Sequence, residues 1–315
     1  MHLFFLSSWF FCIFAIVNPF IFQMLKQMNH FRTLLLAILL SLFFVEVNAG
    51  QYVEDSIKVD GKMRKFVMYL PDGLQADAPL VVVLHGYGAG IRRENIMIGP
   101  ADRHGFAVCI PQGLKDPQGE PSWNVGYSFQ QGWKVDDVKA LCEIARYARK
   151  RHHLHRRNIF LTGMSNGGEM CYLMAYSNQY TFRAVAPIAG LTMQWMYEQM
   201  EATRPIPLME IHGTEDRVSE WTGDLENKGG WGAYLPVPVA VGYWVAKNRC
   251  THEEIERVES LKGSEGHPVI KHRYSGGPTH CDVWLYEVIG GVHSWHTDDI
   301  DTGEEIWQFF SRYLK

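Results

Sequence analysis

The sequence predicts an α/β fold in which a mainly parallel central sheet is flanked by helices. Strand-like and helix-like segments alternate along residues 50–315. A continuous apolar run from Leu80 to Leu84 is typical of a strand that is buried on both faces of a parallel sheet. The stretch from Asn158 to Tyr172 has the pattern of a strand, a sharp turn and a helix. In such a fold the loops at the carboxyl ends of the strands carry the chemistry.

The remaining elements follow from the same patterns, taken in order. Two strands with a turn at Asp60-Gly61 are expected over residues 51–70. Periodicity and turn residues predict the other elements: strands at 106–111, 184–189, 207–211 and 282–289, and helices at 135–151, 238–248 and 302–313. A loop rich in Gly, Pro and Trp lies between residues 112 and 132.

Length and composition indicate one globular domain over residues 50–315. The chain has 315 residues, of which 47% are hydrophobic and 20% charged, so it can bury a large core. Thirty basic and 34 acidic residues give a net charge of −4. That balance argues against nucleic acid and against an anionic membrane surface as partners. It gives no indication of the oligomeric state.

The first 49 residues contain two apolar stretches. Residues 3–23 are apolar enough to span a bilayer, although Asn18-Pro19 interrupts them. Residues 28–49 have a short basic segment, an apolar segment and a small-residue cleavage site, which is the pattern of a signal peptide. We therefore predict that translation begins at Met28, that residues 1–27 are an untranslated upstream extension, and that the protein is secreted or periplasmic. The alternative is a membrane anchor at residues 3–23.

The cysteines agree with export. Of six, Cys12 is lost with the leader, and the remaining five cannot all pair. Cys250 and Cys281 lie in polar segments and could form a disulfide in an oxidising compartment. The other three, which lie among apolar neighbours, are expected to be buried thiols: Cys109, Cys142 and Cys171. No C-x-x-C or H-E-x-x-H spacing indicates a metal, and no cofactor is expected.

The sharp turn at residues 163–167 points to a nucleophile. Its G-x-S-x-G spacing places Ser165 between Gly163 and Gly167. The turn is so tight that the residues two before and two after the serine must lack side chains. Ser165 then lies at the amino end of the following helix, where developing negative charge is favoured.

A serine nucleophile needs a base, and the base needs an acid to orient it. Asp216 follows a buried strand through His212-Gly213-Thr214, and His293 follows the last strand through Gly290-Gly291-Val292. The order serine, aspartate, histidine is that of the α/β-hydrolase fold. Glu215 and Asp224 are nearby alternatives for the acid.

Two backbone amides are candidates for the oxyanion hole. One is the amide of Asn166, directly after the nucleophile, and the other is that of Tyr87, in the glycine-rich loop after the strand at 80–84. The alternative is that this loop is only a turn. His85 and His212 are expected to brace their loops by hydrogen bonds.

These motifs together resemble the secreted polyhydroxybutyrate depolymerase-like esterases, which include feruloyl and acetylxylan esterases. The likeness covers about residues 60–315 and rests on these segments: Leu84-His85-Gly86, residues 135–138, residues 162–168, His212-Gly213-Thr214 with Asp216, and residues 291–295. The resemblance implies a triad of Ser165, Asp216 and His293, and it supports pairing of Cys250 with Cys281. Two positions depart from the family pattern, Val292 in place of a glycine and His296 in place of a proline.

Loop aromatics suggest the substrate. Taken together, Trp123, Trp231 and Trp295 are expected to rim a cleft, because exposed aromatic faces stack on sugar rings or phenolic acyl groups. The alternative for each single tryptophan, and the one favoured there, is that it fills the core. The leading hypothesis is a secreted serine carboxylic ester hydrolase that acts on acylated plant polysaccharide or phenolic esters and releases ferulate or acetate. The alternatives are a polyhydroxyalkanoate depolymerase, a serine peptidase of the same fold, and a non-enzymatic carbohydrate-binding protein, against which the triad argues.

Overall fold

The computed structural model describes residues 50–315. The predicted signal peptide at 28–49 and the predicted extension at 1–27 lie outside the described residues. Twelve strands are present in this part of the chain: β1 Gln51–Val59, β2 Lys62–Leu70, β3 Leu80–Leu84, β4 Ala107–Pro111, β5 Leu114–Lys115, β6 Pro121–Ser122, β7 Ile159–Met164, β8 Ala184–Ile188, β9 Leu208–Gly213, β10 His252–Val258, β11 Val269–Ser275 and β12 Val283–Val288.

Six α-helices lie between or after these strands. They are α1 Ile98–His104, α2 Asp137–Arg151, α3 Asn166–Tyr176, α4 Gln194–Gln199, α5 Val237–Lys247 and α6 Thr302–Ser311. Asp136 caps α2 and Asp301 caps α6, each by accepting a hydrogen bond from the amide three residues later. The paired N-caps explain why both helices begin close to where the sequence predicts them.

One ten-stranded sheet organises the described residues, in the order β1-β2-β4-β3-β7-β8-β9-β12-β11-β10. Neighbouring strands are parallel from β4 through β3, β7, β8 and β9 to β12. Antiparallel hairpins, β1–β2 and β10–β11, extend the sheet at its two edges. The carboxyl ends of the parallel strands therefore meet along one side of the sheet. The predicted α/β class, with a mainly parallel sheet flanked by helices, is confirmed.

Both faces of the sheet are buried. In β3, Leu80, Val82 and Leu84 belong to a core shared with α2, α3 and α5. The alternate residues Val81 and Val83 belong to a second core, shared with α1 and α6. Because successive strand residues point to opposite faces, an uninterrupted apolar run is what a strand between two helical layers requires.

The hairpin β10–β11 and the short helix α1 were not predicted. Six of the seven residues of β10 are exposed, so the strand shows neither a buried run nor an alternation of polar and apolar residues. Helix α1 has seven residues and begins without a side-chain cap. Neither element carries the pattern that identifies its type from sequence alone.

The predicted disulfide is not formed, which corrects that expectation. Cys250 and Cys281 are free thiols. The Cys250 Sγ lies 3.7 Å from the carbonyl oxygen of Cys281, and the Cys281 Sγ lies 3.6 Å from the carbonyl oxygen of Thr279. Each sulfur thus contacts a main-chain oxygen and not the other sulfur. The three cysteines expected to be buried thiols are buried and free: Cys109, Cys142 and Cys171.

Among the helices of residues 50–315, none combines the length and the apolar character needed to cross a bilayer.

Candidate active site

Ser165 lies at the tip of the turn between β7 and α3. Its φ and ψ are 58° and −124°, a conformation that non-glycine residues rarely adopt. A Cβ on Gly163 would lie 2.7 Å from the carbonyl of Gly167, and one on Gly167 would lie 2.7 Å from the carbonyl oxygen of Leu84. Both glycines of the motif are therefore required by close backbone approach. In this strained turn Met164 and Ser165 stay partly exposed, whereas Gly163 and Asn166 on either side are buried.

The loops after β9 and β12 are joined by backbone hydrogen bonds. The Thr214 amide donates to the carbonyl of Val288 at 3.0 Å, and the Glu215 amide donates to the carbonyl of Gly291 at 3.0 Å. The Gly290 amide donates to the Thr214 hydroxyl at 2.9 Å. These contacts fix the two loops to each other just beyond the ends of adjacent parallel strands.

The same loops bring Asp216 and His293 together. The Nδ1 of His293 lies 2.6 Å from the Oδ2 of Asp216. The other oxygen, Oδ1, accepts the amides of Val218 and Ser219, each at 2.8 Å. Burial of Asp216 opposes ionisation, but the hydrogen bond and charge of His293 lower its pKa below the usual value. Asp216 is thus an oriented carboxylate, whereas Asp224, one of the alternatives, accepts the amide of Gly229 instead.

Ser165 and His293 line one cavity of about 300 Å³. The Ser165 hydroxyl makes no hydrogen bond among the described residues, so the serine and the imidazole face the same space without being bonded. Hydrogen bonds between a nucleophile and its base are often long before substrate binds. The arrangement joins Asp216 to His293 and leaves His293 without a bond to Ser165.

The loop after β3 approaches the serine closely. A Cβ on Gly86 would lie 3.4 Å from the Cβ of Ser165. The amides of Tyr87 and Asn166 donate to no acceptor among the described residues, which leaves both free for a ligand. His85 braces this loop: its Nε2 accepts the Gly113 amide at 2.9 Å, and burial lowers its pKa. A bracing role for His85 is therefore confirmed.

Trp123 is a brace and not a rim residue, which corrects the expectation that it meets substrate. It has no exposed surface. Its indole N–H donates to the carbonyl of His85 at 3.0 Å. Its backbone amide donates to the Asn166 side-chain oxygen at 2.7 Å, and its carbonyl accepts the Asn166 side-chain amide at 3.1 Å. The loop from 112 to 132 therefore folds inward and ties the loop after β3 to the amino end of α3.

The other two predicted tryptophans lie near the cavity. Trp295 lines it together with Ser165 and His293. Trp231 is partly buried and packs edge-on against Tyr87, with ring centroids 5.4 Å apart. The Phe129 ring also packs edge-on against Tyr87, with ring centroids 5.5 Å apart. Phe129 was missed because its loop carries no periodic pattern that could assign it to the site.

The cavity wall is mostly apolar, with one charged side chain. Leu84, Ile110 and Met164 contribute apolar surface. Arg92 and Asn95, which follow the glycine-rich loop, contribute the polar part. Sequence reasoning missed Arg92 because a charged residue in a loop is usually only solvated. The sequence feature that could have pointed to Arg92 is its position, five residues after Tyr87 in the loop that follows β3.

Buried ionisable groups lie directly beneath the site. The Nδ1 of His212 is 2.8 Å from Glu210 Oε1, and its Nε2 is 2.7 Å from the Ser219 carbonyl oxygen, so the predicted bracing role of His212 is confirmed. Burial alone would lower the pKa of His212, but the hydrogen bond and charge of Glu210 raise it. On α3, burial raises the pKa of Glu169 to about 8, and this carboxyl is bonded to the Tyr127 hydroxyl. No cluster of three or more metal-ligating side chains occurs within residues 50–315.

Comparison with known proteins finds one matching family model and several curated relatives. The model of the prolyl oligopeptidase family, Peptidase_S9, matches residues 103–224. A bifunctional acetylxylan esterase/xylanase from Neocallimastix patriciarum is 28% identical over 268 residues, which is 83% of this chain and 35% of that protein. Feruloyl esterase D from Neurospora crassa is 25% identical over 290 residues, covering 84% of this chain and 86% of that protein. The chain spans only 35%, 53% and 36% of the first three curated relatives that it matches.

Solved structures with a similar fold also include an esterase. An acetyl xylan esterase from Aspergillus awamori superposes with a TM-score of 0.58 at 13% identity, over 83% of this chain and 99% of that one. At this identity the match speaks for the fold alone. The predicted resemblance is confirmed: the chain has the α/β-hydrolase fold and is a relative of the acetylxylan and feruloyl esterases.

Proposed function

We propose that the protein is a serine carboxylic ester hydrolase in which Ser165, His293 and Asp216 form the catalytic triad. The observation that carries this proposal is the 2.6 Å hydrogen bond between His293 and Asp216, beside a cavity that Ser165 and His293 share. The three groups come from the carboxyl ends of β7, β9 and β12 in the order expected for the fold. The esterase relatives support the same activity.

In the proposed mechanism the Ser165 oxygen attacks the ester carbonyl while the Nε2 of His293 takes the hydroxyl proton. The Asp216 carboxylate holds the Nδ1–H, fixes the tautomer and stabilises the imidazolium. His293 then gives its proton to the leaving alcohol, and an acyl-enzyme remains on Ser165. A water molecule, deprotonated by His293, releases the acid and restores the serine.

The amides of Tyr87 and Asn166 are proposed to hold the tetrahedral oxyanion. They belong to two different loops, which Trp123 and Asn166 tie together through three hydrogen bonds. Donors that are fixed before the reaction cost no reorganisation when charge develops, and each is worth about 10²- to 10³-fold in rate. The buried bracing around these amides therefore serves catalysis as well as stability.

The proposed substrate is an acylated plant polysaccharide or a phenolic ester. A cavity of about 300 Å³ is at the small end for ligand sites, so it fits one acyl group and not a polymer segment. Trp295 and the apolar wall suit a phenolic or short acyl group, and the Trp231 group next to Tyr87 offers aromatic surface outside it. The acetylxylan and feruloyl esterase relatives point to the same class.

Turnover of 4-nitrophenyl acetate by the wild type and by Ser165→Ala tests the catalytic assignment. We expect a loss of roughly 10⁶-fold, because the nucleophile is removed. Ser177→Ala is a matched control, since this serine lies at the far end of α3 and its hydroxyl, among the described residues, bonds only to Met174. Equal rates for the wild type and Ser165→Ala would remove Ser165 as the nucleophile.

A substrate panel of methyl ferulate, acetylated xylan and polyhydroxybutyrate tests the acyl group. We expect the first or second to be preferred, and a preference for the polyester would overturn the proposed substrate. A peptidase activity is the second candidate, because the prolyl oligopeptidase family model matches residues 103–224. A peptide 4-nitroanilide added to the panel measures it. Turnover of the peptide anilide that is lost in Ser165→Ala, with no turnover of the three ester substrates, would favour the peptidase.

We also propose that residues 28–49 are a signal peptide and that the mature protein is exported. The basic, apolar and small-residue segments of this stretch support the proposal. Mass spectrometry of protein from the culture medium is expected to give a mature amino terminus near Gly50. A protein that retains residues 3–23 would favour the membrane anchor instead.

A further inference from the structure

We propose that Glu210 and His212 form a buried ion pair. Its imidazolium lies on the interior side of Asp216 and weakens the hold of His293 on its proton. Both residues are positioning residues, since neither reaches the cavity. They act on the base through Asp216. Because the roles of Asp216 and His293 belong to the proposed function, the experiment below separates the two proposals.

The contacts of His212 are those of its doubly protonated form paired with an ionised Glu210, a state that burial of Glu210 opposes by raising the pKa of that carboxyl. Its Nδ1 meets the Glu210 carboxylate at 2.8 Å and its Nε2 meets the Ser219 carbonyl at 2.7 Å. A carbonyl can only accept, and an ionised carboxylate can only accept, so both ring nitrogens carry a proton when Glu210 is ionised. The Gly190 amide also donates to Glu210 Oε1, at 3.2 Å, which stabilises the negative charge on that oxygen.

The cation faces the acid of the proposed triad. His212 Nε2 lies 3.6 Å from Asp216 Oδ2, the same oxygen that accepts His293 Nδ1. The side chains of Glu210, His212 and Asp216 have no exposed surface, so solvent does not screen the interaction. Asp216 Oδ2 therefore lies between two imidazole rings, that of His212 in the interior and that of His293 at the cavity.

The other titratable groups around the pair are neutral near pH 7. Burial raises the pKa of Glu169 to about 8 and that of Tyr234 to about 12. Burial and the charge of His212 lower the pKa of His296 to about 4. Burial also raises the pKa of Cys171 and of Tyr172. These groups come from α3, from the loop before α5 and from the loop after β12, and none supplies a charge that could replace His212.

The consequence is electrostatic. A carboxylate that faces a second cation attracts the His293 proton less, so the base is unprotonated, and therefore active, down to a lower pH. Removing the positive charge from His212 would move the acid limb of the kcat/KM profile to higher pH. Since the charge of Glu210 disappears with it, the expected shift is small, about half a pH unit.

Glu210→Gln is the test variant, because it keeps the shape of the side chain. The new amide group can donate to His212 Nδ1 and the ring keeps its bond to Ser219, so the charges are lost together with the contact of the Gly190 amide at that position. Glu169→Gln is the matched control, a buried carboxyl that is already neutral below its pKa of about 8. We expect the acid limb for 4-nitrophenyl acetate to rise by about half a unit in Glu210→Gln and to stay unchanged in Glu169→Gln.

Folded Glu210→Gln with an unmoved acid limb would overturn the proposal. A second measurement does not depend on the variant or on activity. In wild-type protein with ¹⁵N-labelled histidine, NMR at pH 8 should show one buried imidazolium with both nitrogens protonated, and its absence would equally overturn the ion pair. Should the wild type hydrolyse no ester, the proposed function fails while the NMR result still decides the charge of His212.

Discussion

Gly213, at the end of β9, sets the distance between the loops that carry Asp216 and His293. A Cβ at this position would lie 2.2 Å from the carbonyl oxygen of Gly291. Carbon and oxygen atoms in contact are about 3.3 Å apart, so Gly213→Ala forces one loop to retreat by about 1 Å. A misplacement of about 1 Å at a catalytic group can cost 10²-fold in rate. We therefore expect kcat to fall about 100-fold.

The assay is turnover of 4-nitrophenyl acetate, with thermal unfolding measured in parallel. Overpacking also predicts a loss of about 1–3 kcal/mol in the free energy of unfolding, so activity is compared well below the melting temperature. Gly242→Ala is the matched control, because nothing lies within 4 Å of its Cβ position in α5. Wild-type kcat in folded Gly213→Ala would refute the view that this close approach positions the acid against the base.

Two further predictions concern charge. Arg92→Gln should lower kcat/KM for 4-nitrophenyl hydrogen glutarate about fivefold relative to neutral 4-nitrophenyl butyrate, because Arg92 is the charged residue of the cavity wall. Arg93→Gln, which removes a pair with Glu54 outside the cavity, should leave this ratio unchanged. Glu169, with its pKa raised by burial to about 8, keeps a proton that the unfolded chain releases near pH 4.5. The free energy of unfolding should therefore fall by about 1.4 kcal/mol per unit as pH rises between these values, and denaturant titrations of Glu169→Gln should lack this fall.

The parallel centre of the sheet could be predicted because its strands have strong local signals. Strand β3 has the predicted bounds of Leu80 and Leu84. The turn at Ser165 is recognisable from its glycines, whose close contacts leave no alternative residue. The edge hairpin β10–β11 could not be predicted, since a polar strand is specified by its neighbours and not by its own pattern.

The errors in the site have a common cause. Trp123 is predicted to rim the cleft together with Trp231 and Trp295, but the Asn166 side chain bonds to both the backbone amide and the carbonyl of Trp123 and draws this loop inward. Likewise, polar neighbours suggested that Cys250 and Cys281 would form a disulfide, yet the two sulfurs contact carbonyl oxygens. Contacts between residues distant in sequence decided both cases, and no local pattern records them.

The order of the strands explains why one contact of the proposed triad is formed and the other is open. Strands β9 and β12 are neighbours with Gly213 opposite Val288, so the loops of Asp216 and His293 leave the sheet side by side and bond to each other. Strand β8 separates β7 from β9, which places the Ser165 turn about 10 Å from the end of β9. Asp216, which follows β9, cannot span that distance to Ser165. His293 follows β12, on the other side of β9, so its loop must extend back across the end of β9 toward Ser165. The contact between Asp216 and His293 therefore follows from the order of the strands, whereas a contact between Ser165 and His293 depends on the conformation of the His293 loop.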